Sequence, residues 1–146
     1  MLIDDALSTH CEVTELAGVP SPGTSAAPSL SASDTGVMLR YSSGPTGRRD
    51  VEVTFEDCLA LSLGVPNDEA LNGHRLWGRG LQYYAFQEVF SSDWIADMRQ
   101  RNRAHHRHSE ELFEGLRHFI VTFQDKTFEC VAKGFTIAPA EQEGSP

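Results

Sequence analysis

The sequence predicts an α+β fold built on an antiparallel sheet, with one or two short helices inserted before a C-terminal β-hairpin; an all-β sandwich is the alternative. Three observations carry this. Apolar residues alternate at period two in 51–55 and again in 119–132, as half-buried strands require. Two Ser-started stretches, at Ser92 and Ser109, carry acids in their first turn and read as helices. The connections are short enough to make sequential strands antiparallel neighbours.

Residues 1 to 36 carry Asp4, Asp5, Glu12, Glu15 and Asp34 and no Lys or Arg, so they hold −5 of the net charge of −9. Within them, GVPSPGTSAAPSLSASDTG (18–36) has three prolines and few large apolar side chains. Such a stretch buries too little surface to offset chain entropy, and we expect a disordered leader over 1–36. The chain has 146 residues and a hydrophobic fraction of 40% that includes eight Phe, enough for one core and too short for two. The expected domain is 37–137, with a frayed tail at 138–146.

Order should begin with the strand VMLRYSS (37–43), followed by the Gly-Pro turn in SSGPTGRRD. In VEVTFEDCLALSLG (51–64), Val51, Val53 and Phe55 alternate with Glu52, Thr54 and Glu56, and the odd phase resumes at Leu59, Leu61 and Leu63. Two strands joined across Glu56 and Asp57 fit this pattern; one bulged strand is the alternative. Asn67 before Asp68 and Glu69 predicts a helical turn that Gly73 ends. The aromatic LQYYAFQEVF (81–90) reads as a strand. Ser92 then caps a helix over 93–102 whose Trp94, Ile95 and Met98 share a face. Ser109 caps a second, with Leu112, Phe113 and Leu116 inward. In the closing hairpin Phe119, Val121 and Phe123 face the interior from one strand and Phe128, Cys130 and Ala132 from the next, around a turn at 124–127. His118, Thr122, Thr127 and Glu129 then fall on the opposite, solvated face.

Composition excludes several functional classes. Beyond residue 36 twelve basic residues meet sixteen acidic ones, which gives no general attraction to nucleic acid or to anionic membrane. The opening MLIDDALSTH has no basic n-region, and no apolar run approaches a membrane span. Cys11, Cys58 and Cys130 form no CxxC and are odd in number, which favours a reducing compartment. A cytoplasmic location is expected.

The densest cationic stretch is RQRNRAHHRH (99–108). Guanidinium groups bind oxyanions through paired hydrogen bonds, so Arg101, Arg103, His105, Arg107 and His108 are the candidate ligand-binding residues for a small anion or a protein partner. The competing account is a solvated helix end, with cations favoured by the dipole and neutralised by Glu110, Glu111 and Glu114. His105 and His108, with His118, His74 or Cys130, offer zinc-type donors, but no HExxH or paired CxxC completes a set, so no metal and no cofactor is expected. Candidate catalytic residues are His118, Glu129 and Glu88, a histidine and two acids placed on one sheet face, against the commoner role of cross-strand polar pairing. A Cys130–His118 nucleophilic pair is disfavoured because the alternation sends the two to opposite faces. These residues support a binding module for a protein or anionic ligand, or alternatively a small hydrolase or metal-dependent enzyme.

The phrases PNDEAL (66–71), GH (73–74), GRGLQYY (78–84), EVFSSDWI (88–95), RNRAH (101–105) and HFIVTFQDKTFECVA (118–132) resemble a family of small, uncharacterised bacterial proteins over about residues 51–135. That resemblance implies a bacterial origin and carries no activity or site residue with it.

Overall fold

The structure, a computed structural model, describes residues 10–34, 36–44 and 49–139. It is sheet-rich and antiparallel. Strands β1 (Glu12–Glu15), β2 (Ser29–Ser33), β3 (Gly36–Ser43), β4 (Arg49–Glu56) and β5 (Ala60–Gly64) precede a 3-10 helix at Asp68–Gly73. Then come β6 (Phe86–Phe90), helix α1 (Asp93–Asn102), a second 3-10 helix (Glu110–Phe113), and β7 (Arg117–Thr122), β8 (Thr127–Ala132) and β9 (Gly134–Pro139). One sheet has the order β1-β6-β7-β8-β5 and the other β2-β3-β4-β9.

The two sheets meet across one core because their period-two rows are complementary. Register pairs Val37 with Phe55, Leu39 with Val53 and Tyr41 with Val51, which places all six on one face of the second sheet. They pack on Phe86, Phe119, Val121, Phe123, Phe128, Cys130 and Ala132 of the first. Phe55 sits at the centre, its ring 5.4 Å from Phe128, 5.7 Å from Phe119 and 6.2 Å from Phe86. The chain crosses between sheets twice at one place, after β4 through Asp57 (φ 50) and after β8 through Lys133, whose N–H donates to Glu56 O at 2.8 Å.

Much of the expected leader is ordered. Residues 10–34 include β1, paired with β6, and β2, paired with β3. Cys11, Val13 and Ala26 are buried, Tyr41 Oη donates to Pro20 O at 2.6 Å, and Ser43 Oγ donates to Ser21 O at 2.7 Å. A low-apolar segment can be ordered this way because adding a strand to an existing edge satisfies its backbone by ladder bonds and needs only a few small buried side chains. Residues 1–9 and 140–146 lie outside the described residues, and within the expected tail 138–139 close β9.

Three local expectations change. Residues 81–85 do not extend β6: Tyr84 turns to φ 49 and its hydroxyl donates to Asp68 Oδ2 at 2.5 Å. Leu112 is exposed whereas Phe113 is buried, because the 3-10 turn presents fewer residues inward than the expected α-helix. The outer face of the closing hairpin is covered rather than solvated. Leu71, Leu76 and Leu81, from the segment between β5 and β6, pack with Cys11, Val13, Val89 and Ile120 over it. Thr122 and Thr127 are buried there with their hydroxyls donated to Gln82 O and Pro66 O, both at 2.8 Å.

Candidate functional site

Helix α1 starts where expected, at Asp93 after Ser92, whose Oγ accepts from Ile95 N–H at 3.2 Å. The turn into it bends through Ser91 at φ 54, a left-handed conformation that costs a non-glycine residue free energy and aims the next side chain. Trp94, expected on the inward stripe, sets its ring edge-on to His118 at 5.3 Å, while no residue of α1 is fully buried.

His118 is fully buried on the covered face of β7, diagonal to Glu129 of β8. Its Nε2 lies 2.8 Å from Glu129 Oε1 and its Nδ1 2.8 Å from Ser92 Oγ. On the other carboxylate oxygen, His74 Nε2 stands at 3.1 Å. The protons can be placed by elimination. An ionised carboxylate only accepts, so both Nε2 atoms carry hydrogen and donate. His74 Nδ1 accepts from Leu76 N–H at 3.0 Å, which agrees with that tautomer. In the neutral imidazole, His118 Nδ1 is then an acceptor, and Ser92 O–H donates to it.

Arg75 completes the cluster, 3.5 Å from Glu129 Oε1 and 3.3 Å from both oxygens of Asp93. Burial alone would raise the Glu129 pKa; the two imidazole donors and the Arg75 charge outweigh it and hold the carboxyl far below its usual range. Asp93 is lowered the same way, burial opposing and Arg75 prevailing. Ser92 and Asp93 line a cleft of about 460 Å³, together with Glu88, Arg99, Leu116 and Arg117, and His118 sits behind Ser92.

Of the residues singled out from sequence, His118 and Glu129 come together as expected. Glu88 does not join them. It stands opposite Phe119 in the ladder, on the face away from His118, and binds Arg117 through both oxygens at 2.6 and 2.9 Å. Cys130 and His118 do point to opposite faces, since Cys130 pairs with Phe119 and packs in the core between the sheets.

The basic run is largely paired in place: Arg101 with Asp97 at 2.8 Å, Arg103 with Glu110 at 3.3 Å, and His108 Nε2 with Glu110 Oε1 at 2.9 Å. His105 stacks on His106 at 4.8 Å and accepts from Arg107 N–H, and all three are exposed. Among the described residues no group of three or more His, Cys, Asp or Glu is disposed to hold a metal ion. Among the described residues no helix is long and apolar enough to cross a membrane.

The sequence marks Ser92 only as a cap and His74 only as a distant donor, and it carries no local signal for Arg75. Their convergence depends on the 65–84 segment folding over the sheet, for which the signal was Ile120 and Val131 interrupting an otherwise polar row. No family model, no curated protein and no solved structure matches the chain.

Proposed function

We propose that this chain is a small serine-type hydrolase acting on acyl esters, with Ser92 as nucleophile, His118 as general base and Glu129 as the group that orients and charges the base. The observation that carries the reading is the chain of two 2.8 Å contacts, Ser92 Oγ to His118 Nδ1 and His118 Nε2 to Glu129 Oε1, ending on a cleft at the serine. A base must be within hydrogen-bond reach of the nucleophile and be oriented by a third group. The imidazole nitrogens exchange the roles they take in the common triad, where Nε2 faces the serine. Either nitrogen can accept the proton provided the other is held as a donor, and Glu129 holds Nε2 so.

In the proposed reaction Ser92 Oγ attacks the acyl carbon as its proton passes to His118 Nδ1. The imidazolium is stabilised by Glu129 and returns the proton to the leaving alkoxide. Water then repeats the sequence on the acyl-serine.

A serine-directed organophosphonate and short-chain p-nitrophenyl esters test this. Wild type should label at Ser92 and turn over, and Ser92→Ala should lose on the order of 10³-fold or more in rate, while Ser31→Ala, exposed on β2 of the other sheet, keeps it. An adduct on another residue, or wild-type turnover in Ser92→Ala, ends the reading.

A second reading, a binding module for a protein or small anionic ligand, is favoured by the exposed His105, His106 and Arg107 at the turn after α1. On class, two sheets facing across a shared core with one α-helix of ten residues favour the sandwich alternative over α+β. A cytoplasmic location and kinship with small bacterial proteins accompany both readings.

A further inference from the structure

The cleft that opens on Ser92 follows α1, where Ile95, Ala96 and Arg99 line it beyond Ser92 and Asp93. Residues 95, 96 and 99 share one helix face at i, i+1 and i+4, and helical side chains lean toward the N-terminus, so the stem of Arg99 leans toward the serine end of this wall. Seven residues of helix set the two positions about 10 Å apart along the axis.

The charges on the lining are unequally matched. Both oxygens of Glu88 are taken by Arg117, at 2.6 and 2.9 Å, and both of Asp93 by Arg75, at 3.3 Å. Arg99 is different. Its Nε faces Glu110 Oε2 at 3.4 Å without making a hydrogen bond, and among the described residues it is the one buried side-chain nitrogen or oxygen left without one. Glu110 is not part of the cleft lining, and its other oxygen already serves Arg103 and His108, at 3.3 and 2.9 Å. Buried polar groups in folded proteins are almost always paired, and an unpaired guanidinium nitrogen at a cleft wall is a place for an acceptor that arrives from outside.

We propose that the substrates of this cleft are esters whose acyl chain ends in a carboxylate, half-esters of short dicarboxylic acids, and that Arg99 is the residue that selects them. This rests on the serine-hydrolase reading. The leaving alkoxide must lie beside His118 Nδ1 to receive its proton, and His118 sits behind Ser92 against Trp94. The acyl chain therefore extends the other way, with its methylenes over Ile95, Ala96 and Leu116 and its carboxylate at the Arg99 fork, which matches a carboxylate by paired hydrogen bonds. Glu110 yields to it readily, because an ion pair with side chains 37% and 54% exposed contributes little.

The test compares kcat/KM of the full chain for p-nitrophenyl butyrate and mono-p-nitrophenyl glutarate. The half-ester should be preferred by about 10-fold or more at low salt, and the preference should shrink as salt rises. Arg99→Gln should abolish the preference and Glu110→Gln should raise it; the wild-type preference and its salt dependence decide even if a variant fails to fold. Calorimetric titration of monomethyl glutarate into Ser92→Ala should show binding that adding Arg99→Gln removes. Hydrolysis of both esters at Ser92 without preference, or with a preference that Arg99→Gln leaves intact, overturns the role of Arg99 and leaves the hydrolase standing. Arg99-dependent binding in a chain that hydrolyses neither ester upholds the carboxylate site and ends the hydrolase reading, and the absence of both binding and turnover ends both.

Discussion

Glu129→Gln is the sharpest perturbation of the covered face, because it keeps shape and removes only charge and one acceptor. Glu129 accepts from His118, His74 and Arg75. The glutamine oxygen can serve one imidazole, but its amide then presents hydrogens to the other. His74 cannot answer by changing tautomer, since its Nδ1 is occupied by Leu76 N–H. A hydrogen bond to a charged group contributes about 1.5–3 kcal/mol, and the Arg75 contact adds little because that side chain is 39% exposed. One such bond lost plus an opposed pair of donors in a buried site gives an expected cost of about 3–5 kcal/mol. Because the folded pKa of Glu129 is held below its ordinary 4.5, the ionised carboxylate stabilises fully above that value, and its contribution is lost as pH falls below it. Urea unfolding at about pH 7 and about pH 3, followed by the fluorescence of Trp94 beside His118, should show a large gap between wild type and variant that narrows in acid. A gap below about 1 kcal/mol at neutral pH, or one unchanged by acidification, would refute the assignment of Glu129 as an ionised acceptor.

Two further outcomes follow from the backbone at Gly80 and the ion pairs of α1. A Cβ on Gly80, at φ +108, would stand 2.2 Å from Val13 O, so Gly80→Ala should cost at least about 2 kcal/mol and release β1 first, read as faster amide exchange at Val13. Reversing charge at Arg101, Arg103 and Arg107 breaks only exposed ion pairs and should shift stability by about 1 kcal/mol or less, while removing any salt-sensitive anion binding.

How far the sequence reveals this molecule depends on whether the determining contacts are local. The inward row Phe119, Val121, Phe128 and Cys130 was legible because alternation reports which residues share a face. The start of α1 was legible because a cap is a contact between Ser92 and Ile95. The leader was misread because composition measures what a segment can bury by itself, whereas β1 and β2 are ordered by edges supplied far along the chain, β6 for the first and β3 for the second. The site was half legible for the same reason. His118 and Glu129 share a face by period-two counting, but Ser92, His74 and Arg75 reach it only through the folding of 65–84 and the placement of α1. Glu88 failed for a countable reason, since its ladder partner is Phe119 rather than His118.

The covered face also bears on whether the Glu129 cluster is only structural. Burying an ionised carboxylate costs several kcal/mol before its partners repay it, and apolar residues of similar size would often serve stability as well. Structural ion networks do occur, so a depressed carboxyl alone decides nothing. The satisfaction of Glu129 requires hydrogen on His118 Nε2, and it leaves open what His118 Nδ1 meets. What Nδ1 meets is a hydroxyl at the cleft, the one member of the Ser92–His118–Glu129 chain from which a proton could be taken by the base behind it while an acyl group approaches from solvent. A cap residue needs only Ile95 N–H for its structural work, and Ser92 makes that bond with its acceptor side. Its donor side is therefore free for the imidazole, so capping and proton transfer do not compete for the same atom pair.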